Sequence, residues 1–285
     1  MEEIKIPQRY NYAEAYLTLR CNLNCSYCIN KKSGRVNRNR EELSTEQWAD
    51  GLNRINFGDL PLTLGGGEPT MYKEFYKLLK ILRPDIRIDL LTNLEYDVDE
   101  FIANTSPNRF NNCTNPAYKS IRVSFHAEKM DCNELIKKAK KLQDNGYNIG
   151  LFGLNHPSNI EMNMYITELA RENKIFFFVK DFLGEYNGNL LGFYNYPHAL
   201  DKKPKSVHCR IQELLIGPEG NIYRCHRDLY SAQGEIGNIS DTELDITDKF
   251  RECHNYGNCN PCDVKLKTNR FLQMGKCSVE IIEKI

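Results

Sequence analysis

The chain has 285 residues, 41% of them apolar and 27% charged, and its 38 basic side chains are balanced by 38 acidic ones. A zero net charge leaves no overall field to hold a polyanion, so nucleic-acid binding is not favoured, and 13 Phe with 16 Tyr exclude a solvated, disordered chain. No apolar run approaches the roughly 18 residues of a membrane span, and Met1-Glu2-Glu3-Ile4-Lys5 has no apolar signal core, so a cytoplasmic protein of one or two domains is expected.

Short apolar runs, many of them β-branched, predict strands at 15–19, 62–64, 86–91, 121–125, 149–154 and 175–179. Between them, helical periodicity covers about 44–55, 73–82, 97–103, 132–144 and 159–172. Ser44-Thr45-Glu46-Gln47 offers a capping box for the first helix, and Asn145-Gly146 a stop for the fourth. Strand–helix alternation over six units predicts a parallel sheet with right-handed crossovers. Six units are too few for an eight-stranded barrel, so an open partial barrel and a doubly wound sheet both fit. In either, the loops at the C-terminal ends of the strands carry the site.

The alternation stops near residue 180. Residues 181–206, with Gly184, Gly188, Gly192, Pro197 and Pro204, read as a bridge without long elements. Beyond it, 211–216 and a strand starting at 222 flank Gly217-Pro218-Glu219-Gly220-Asn221, the chemistry of a hairpin turn. Cys209 and Cys225 are expected near the open ends of that hairpin, where they can converge. The expected division is a core at 1–185, a bridge at 186–206 and a cysteine-rich extension at 207–285.

Eleven cysteines are an odd number, and they are clustered. Without a signal peptide, such clusters point to metal or redox sites rather than disulfides. Cys21-Asn22-Leu23-Asn24-Cys25-Ser26-Tyr27-Cys28 follows the first strand. Three soft thiolates on one loop select iron–sulfur or zinc, and three ligands on a four-metal cluster leave one metal open to chemistry. Gly65-Gly66-Gly67-Glu68-Pro69 follows the second strand. Glycines there let backbone approach a ligand, and the carboxylate can accept from an ammonium group.

Together these motifs resemble the radical S-adenosylmethionine (SAM) superfamily, with CNLNCSYC as its cluster motif and Gly66-Gly67-Glu68-Pro69 as its glycine-glycine-glutamate motif. The resemblance covers about residues 12–180. It implies an α/β fold built as a partial (β/α)6, TIM-like barrel. It implies a 4Fe–4S cluster on Cys21, Cys25 and Cys28, with SAM on the fourth iron, giving a 5′-deoxyadenosyl radical that abstracts hydrogen from a substrate. It places Tyr27 beside the adenine, and Gly66, Gly67, Glu68, Asn93 and Ser124 at the cofactor. Where His126 stands many relatives carry Asp, so its role stays open, and Asn155 is a lesser candidate. Cys113 and Cys132 are assigned to structure.

The tail Cys253-His254-Asn255-Tyr256-Gly257-Asn258-Cys259-Asn260-Pro261-Cys262, after Cys209 and Cys225, resembles the SPASM and twitch extensions, which bind auxiliary iron–sulfur clusters. One auxiliary cluster on Cys209, Cys225, Cys259 and Cys262 is the nearest fit, with Cys253 and Cys277 as further candidate ligands of a second cluster that His226, His254 or substrate would complete. A zinc ribbon is the alternative for this segment. Phe176-Phe177-Phe178 is expected to pack in the core, while Tyr186, Phe193, Tyr194 and Tyr196 are candidate cavity-lining aromatics. The expected function is oxidation or another modification of a peptide or protein side chain. The alternatives are a radical SAM reaction on a small molecule such as a sugar or nucleoside, or a non-enzymatic zinc protein. The resemblance also implies an electron donor such as flavodoxin or ferredoxin. With the first strand starting near residue 13, a separate peptide-recognition partner is expected.

Overall fold

Alternating apolar and polar positions build the central sheet strand by strand. The computed structural model describes residues 3–29, 39–111, 117–269 and 272–283. A marginal pair, β1 (Ile4–Lys5) with β3 (Ile55–Asn56), lies apart from a nine-stranded sheet. Six strands of that sheet run parallel in chain order: β2 (Tyr12–Thr18), β4 (Leu62–Gly66), β5 (Ile88–Thr92), β6 (Ile121–Ser124), β7 (Ile149–Asn155) and β8 (Phe176–Asp181). They are the six predicted strands. Five helices fall between them as periodicity required: α1 (Thr45–Leu52), α2 (Phe75–Ile81), α3 (Val98–Asn104), α4 (Cys132–Asp144) and α5 (Ile160–Glu172).

The helices form for local reasons and dock for apolar ones. Ser44 and Gln47 make the reciprocal capping box at α1. At α4, Asp131 accepts from the Glu134 amide, and Cys132, Leu135, Ile136, Ala139 and Leu142 make a buried stripe at helical spacing. Burying each such Leu or Ile contributes roughly 1.5–3 kcal/mol, and Cys132 belongs to this packing, as expected. Cys113 lies outside the described residues.

The two faces of the sheet differ. On β2, Ala13, Ala15 and Leu17 join the main apolar core with Leu62, Leu64, Ile88 and Leu90. Period-2 geometry turns Tyr12, Glu14 and Tyr16 to the other face. That face is polar although buried: Glu14, Thr63, Asp89 and Arg122 are each at most 4% exposed. Arg122 Nη1 donates to Asp89 Oδ2 at 2.7 Å, and the Tyr118 hydroxyl donates to the same oxygen. A buried ionic pair costs desolvation, so a polar concave face marks a cavity rather than a core.

The C-terminal third contributes to this sheet. The hairpin forms as β12 (Glu213–Ile216) and β13 (Asn221–Tyr223), with the Gly217 amide on Asn221 O at 2.8 Å and Gly220 at φ +83. β12 pairs parallel with β2, and β14 (Glu235–Asn238) pairs with β13 at the edge. Among the described residues the sheet stays open, with β14 and β8 as its edges. The bridge holds the short pair β9 (Gly184–Tyr186) and β10 (Asn189–Leu191) and a 3-10 turn at Pro197–Leu200.

One expectation is corrected. Cys209 does not stand at the open end of the hairpin. It lies in β11 (Lys205–Ile211), which pairs with β15 (Arg251–Tyr256) and β16 (Val279–Glu283) in a separate three-stranded antiparallel sheet. The chain changes sheets at Gln212, whose amide donates to Ser278 O at 2.9 Å. Two short helices, α6 (His226–Ser231) and α7 (Pro261–Val264), complete this part. No helix of the described residues is long and apolar enough to cross a membrane.

Candidate active site

The loop after β2 is held by the glycine turn after β4. The Gly67 amide donates to Thr18 O and the Glu68 amide to Arg20 O, each at 2.8 Å, so the pairing of β2 with β4 continues past both strands. A Cβ on Gly66 would lie 2.1 Å from Thr18 O, and one on Gly67 would lie 2.1 Å from Arg20 O. A Cβ on Gly65 would lie 2.1 Å from Glu14 Oε1. The glycines are therefore required by the approach of the chain's own backbone and of Glu14, a reason the sequence did not supply.

Glu68 stands behind this turn. Its Oε1 accepts from the Thr70 amide at 3.2 Å, Thr70 Oγ1 at 2.7 Å and Thr92 Oγ1 at 2.9 Å, and its Oε2 accepts from the Asn93 amide at 2.7 Å. Burial pushes its pKa up against the pull of these donors. The carboxylate ties the end of β4 to the end of β5. That fixes Asn93, whose Nδ2 donates to Asn22 Oδ1 at 2.7 Å and lies 3.8 Å from Cys21 Sγ.

A cavity of about 510 Å³ opens above these strand ends. Cys21, Cys25, Cys28 and Tyr27 line it from the loop, with Gly66 and Gly67 from the turn and Asn93 and Ser124 from the next two strands. Cys25 is buried, and Cys21 and Cys28 are half-buried. The Cys25 thiol is pushed up to about 11, by burial first and then by Cys28, Glu128 and Cys21. Thiols that oppose one another's ionisation are stabilised as thiolates by a shared cation, and a coordinated thiol loses its proton. Three soft donors on one loop at the wall of a cavity fit an iron–sulfur cluster that keeps one metal position open.

Tyr27 stacks on His156 at 5.3 Å and on His126 at 6.1 Å between ring centres. His156 in turn meets Phe182 and Tyr186 edge-on at 4.5 and 4.7 Å. This gives the loop an aromatic shelf. His126 lines the cavity, and burial pushes its pKa down, favouring the neutral ring. Asn155 is exposed at the end of β7. Phe177 packs against the main core, Tyr194 and Tyr196 pack against the core of the C-terminal sheet, and Phe193 is exposed.

The opposite wall is charged. Glu14, Glu213, His226, Arg122, Lys180, Lys265 and Lys267 all line the same cavity. Glu213 Oε1 accepts from Lys267 Nζ at 3.0 Å, and His226 Nδ1 lies 2.8 Å from Asp263 Oδ1. Burial pulls the His226 pKa down, but Asp263 and Glu213 outweigh it and the net result is about 9. The available sequence signal was a Glu at alternating position in a strand otherwise destined for burial, Tyr12-Ala13-Glu14-Ala15-Tyr16.

Residues 16–112, which hold the thiol loop and the glycine turn, match the family model described as the Radical SAM superfamily. This segment is a radical SAM segment. Over 79 residues the chain is 38% identical to a "PqqA peptide cyclase" of Rhodopseudomonas palustris, covering 27% of this chain and 20% of the relative. Over 65 residues it is 37% identical to the "PqqA peptide cyclase" of Bradyrhizobium diazoefficiens, covering 22% of this chain and 17% of the relative. The chain thus spans about a fifth of the length of these relatives. The fold is similar to "Native anSMEcpe with bound AdoMet", with TM-score 0.55 and 17% identity, covering 81% of this chain and 78% of that one. It is similar to "Native anSMEcpe with bound AdoMet and Kp18Cys peptide", with TM-score 0.55 and 16% identity, covering 84% and 78%.

Outside the radical SAM segment, the tail cysteines group differently from their spacing. The Cys209 and Cys253 thiols lie within hydrogen-bonding reach of each other, which pushes the Cys209 pKa up and pulls that of Cys253 down. Cys225 interacts electrostatically with Cys209, and Cys259 with Cys253. Cys262 instead lines the 510 Å³ cavity. The Cys277 thiol donates to Asp263 O at 3.2 Å and Val279 O at 3.4 Å. His254 is exposed, with Nδ1 2.7 Å from Ser206 Oγ.

Proposed function

We propose that this protein is a radical SAM enzyme that oxidises or otherwise modifies a side chain of a peptide or protein. The observation that carries this is the single cavity lined by Cys21, Cys25 and Cys28, the Gly66–Gly67 turn and a buried charged wall. The three cysteines would hold a 4Fe–4S cluster, which supplies the electron that cleaves SAM to a hydrogen-abstracting 5′-deoxyadenosyl radical. The chain's own residues position and enclose. Gly66 and Gly67 hold the cysteine loop against β4, and Glu68 fixes Asn93 beside Cys21. Tyr27, backed by His126 and His156, offers a flat face to an adenine, and the sheet interior keeps bulk water from the reacting centre.

Cys209, Cys225, Cys253 and Cys259 would hold an auxiliary cluster within residues 207–285. The contact between the Cys209 and Cys253 thiols supports Cys253 in place of Cys262. A thiolate cluster there also suits a small segment with a small apolar core of its own. A peptide substrate is favoured by the relatives named as peptide cyclases and by the peptide-bound fold neighbour. A flavodoxin or ferredoxin would deliver the electrons.

Hydrogen transfer tests the reading. The reconstituted protein is given SAM, dithionite and either a pool of side-chain-deuterated peptides or deuterated sugars and nucleosides. Deuterium appearing in 5′-deoxyadenosine from the peptides alone is the expected result. Deuterium from the small molecules alone would replace this reading with small-molecule chemistry.

A further inference from the structure

The charged wall of the cavity contains two lysines, Lys180 and Lys265, with no ion pair among the described residues. Three other cations of the wall are matched: Arg122 with Asp89 at 2.7 Å, Lys267 with Glu213 at 3.0 Å, and His226 with Asp263 at 2.8 Å. Glu14 Oε2 accepts from the Tyr12 hydroxyl at 2.8 Å. Lys180, at the penultimate position of β8, has no hydrogen bond or ion pair to its ammonium among the described residues; its Nζ sits 4.7 Å above the Phe152 ring. Lys265 lines the same cavity and is likewise without an ion pair among the described residues.

We propose that Lys180, with Lys265 beside it, is the seat of a carboxylate carried by the substrate. A recessed ammonium with no ion pair among the described residues carries a desolvation cost that the Phe152 ring offsets only in part. The charged groups that act on Lys180 are all cations: Arg122, Lys265 and Lys267. With burial as the main cause, they push its pKa down to about 7. An entering anion reverses both effects. It supplies the missing counter-charge and meets a field already positive at that point, and the flanking phenyl ring of Phe152 keeps water from competing.

The same wall selects the kind of anion. Glu14 and Glu213 also line the cavity, and Asp263 holds His226 at its edge. Glu213 and Asp263 act on the neighbouring Lys265, so a dianion such as phosphate is repelled more strongly than a carboxylate. A cavity of about 510 Å³ admits one side chain and its neighbours rather than a folded domain. An acidic side chain of a peptide, held by Lys180 with its carbon stem toward the thiol loop, satisfies charge, size and placement together. This rests on reading the cavity as the substrate site.

The test compares two blocked tripeptides, acetyl-Gly-Glu-Gly-amide and acetyl-Gly-Gln-Gly-amide, by NMR titration against the anaerobically reconstituted protein, with SAM affinity measured in parallel. The expected result is at least tenfold tighter binding of the Glu peptide, a ratio that falls to about one in Lys180→Met and is retained in Lys180→Arg. Equal binding of the two peptides by the wild-type protein, or binding of neither, overturns the proposal without any variant having to fold. A Lys180→Met protein that loses SAM affinity instead assigns the ammonium to the cofactor and also overturns it. Neither titration needs turnover, so an absence of 5′-deoxyadenosine would refute the proposed function while leaving the peptide comparison to be read on its own.

Discussion

Gly67→Ala adds one methyl group at the tightest point of the site. Its Cβ would sit 2.1 Å from Arg20 O and 2.6 Å from Leu19 O, both backbone atoms, so no side chain can swing aside. Contact distance for carbon and oxygen is about 3.2 Å, so the loop must retreat by about 1 Å. Gly67 is not in the left-handed region, so the penalty is steric and not torsional. Retreat strains or breaks the Gly67 amide bond to Thr18 O and the Glu68 amide bond to Arg20 O, each worth about 1 kcal/mol. Overpacking adds about 1–3 kcal/mol. The sum, about 3–5 kcal/mol if both bonds are lost, corresponds to a fall in Tm of roughly 5–8 °C for a chain of 285 residues. Because Arg20 adjoins Cys21, the same shift displaces a cluster ligand. Gly67→Ala is therefore expected to bind less iron than wild type after reconstitution, beyond any loss of SAM affinity. Gly58→Ala is the control: it has φ +54 and nothing within 4 Å, so it carries torsional strain without a clash. Calorimetry and iron analysis of both variants read the result. Full iron content and an unchanged Tm in Gly67→Ala would refute the argument that the glycine turn supports the thiol loop.

The tail cysteines give a paired outcome. In a protein already lacking Cys21, Cys25 and Cys28, about four irons per chain should remain; Cys253→Ser should lose them and Cys262→Ser should keep them, and the reverse pattern would restore the spacing-based assignment. Zinc without sulfide in that protein would mean a structural ribbon. Burial raises the folded pKa of Glu14 above its ordinary 4.5, with Glu213 adding to the rise. The folded state then binds the proton more tightly, so this group's contribution is full below about pH 4.5 and is lost as pH rises through the folded value. Glu14→Gln should flatten that part of the stability curve, and an unchanged pH profile by denaturant titration would show that Glu14 does not ionise there.

The parallel sheet was legible because its strands are short apolar runs separated by capped amphipathic helices, and both signals are local. The hairpin was legible from Gly217 to Asn221 for the same reason. The sheet of β11, β15 and β16 was not, because its pairings join residues as distant as Cys209 and Ile281. With that sheet went the contact between Cys209 and Cys253, which no spacing rule contains. The glycine motif announced its position but not what it approaches: Thr18 O and Arg20 O come into range only when β2 and β4 pair. His156, behind Tyr27, carries no motif, and Lys180 looks like an ordinary strand-end lysine after three Phe. Its meaning comes from the lack of an ion-pair partner among the described residues, which a sequence cannot express. Glu14 could have been noticed, since a carboxylate inside a buried strand needs a reason.

The central claim is that Cys21, Cys25 and Cys28 carry the cluster that cleaves SAM. It is tested most directly by quantifying 5′-deoxyadenosine from anaerobically reconstituted protein with SAM and dithionite, comparing wild type with the variant in which all three cysteines are Ala. Wild type should form 5′-deoxyadenosine and the triple variant none above the protein-free background. A triple variant that forms it at the wild-type rate would contradict the account.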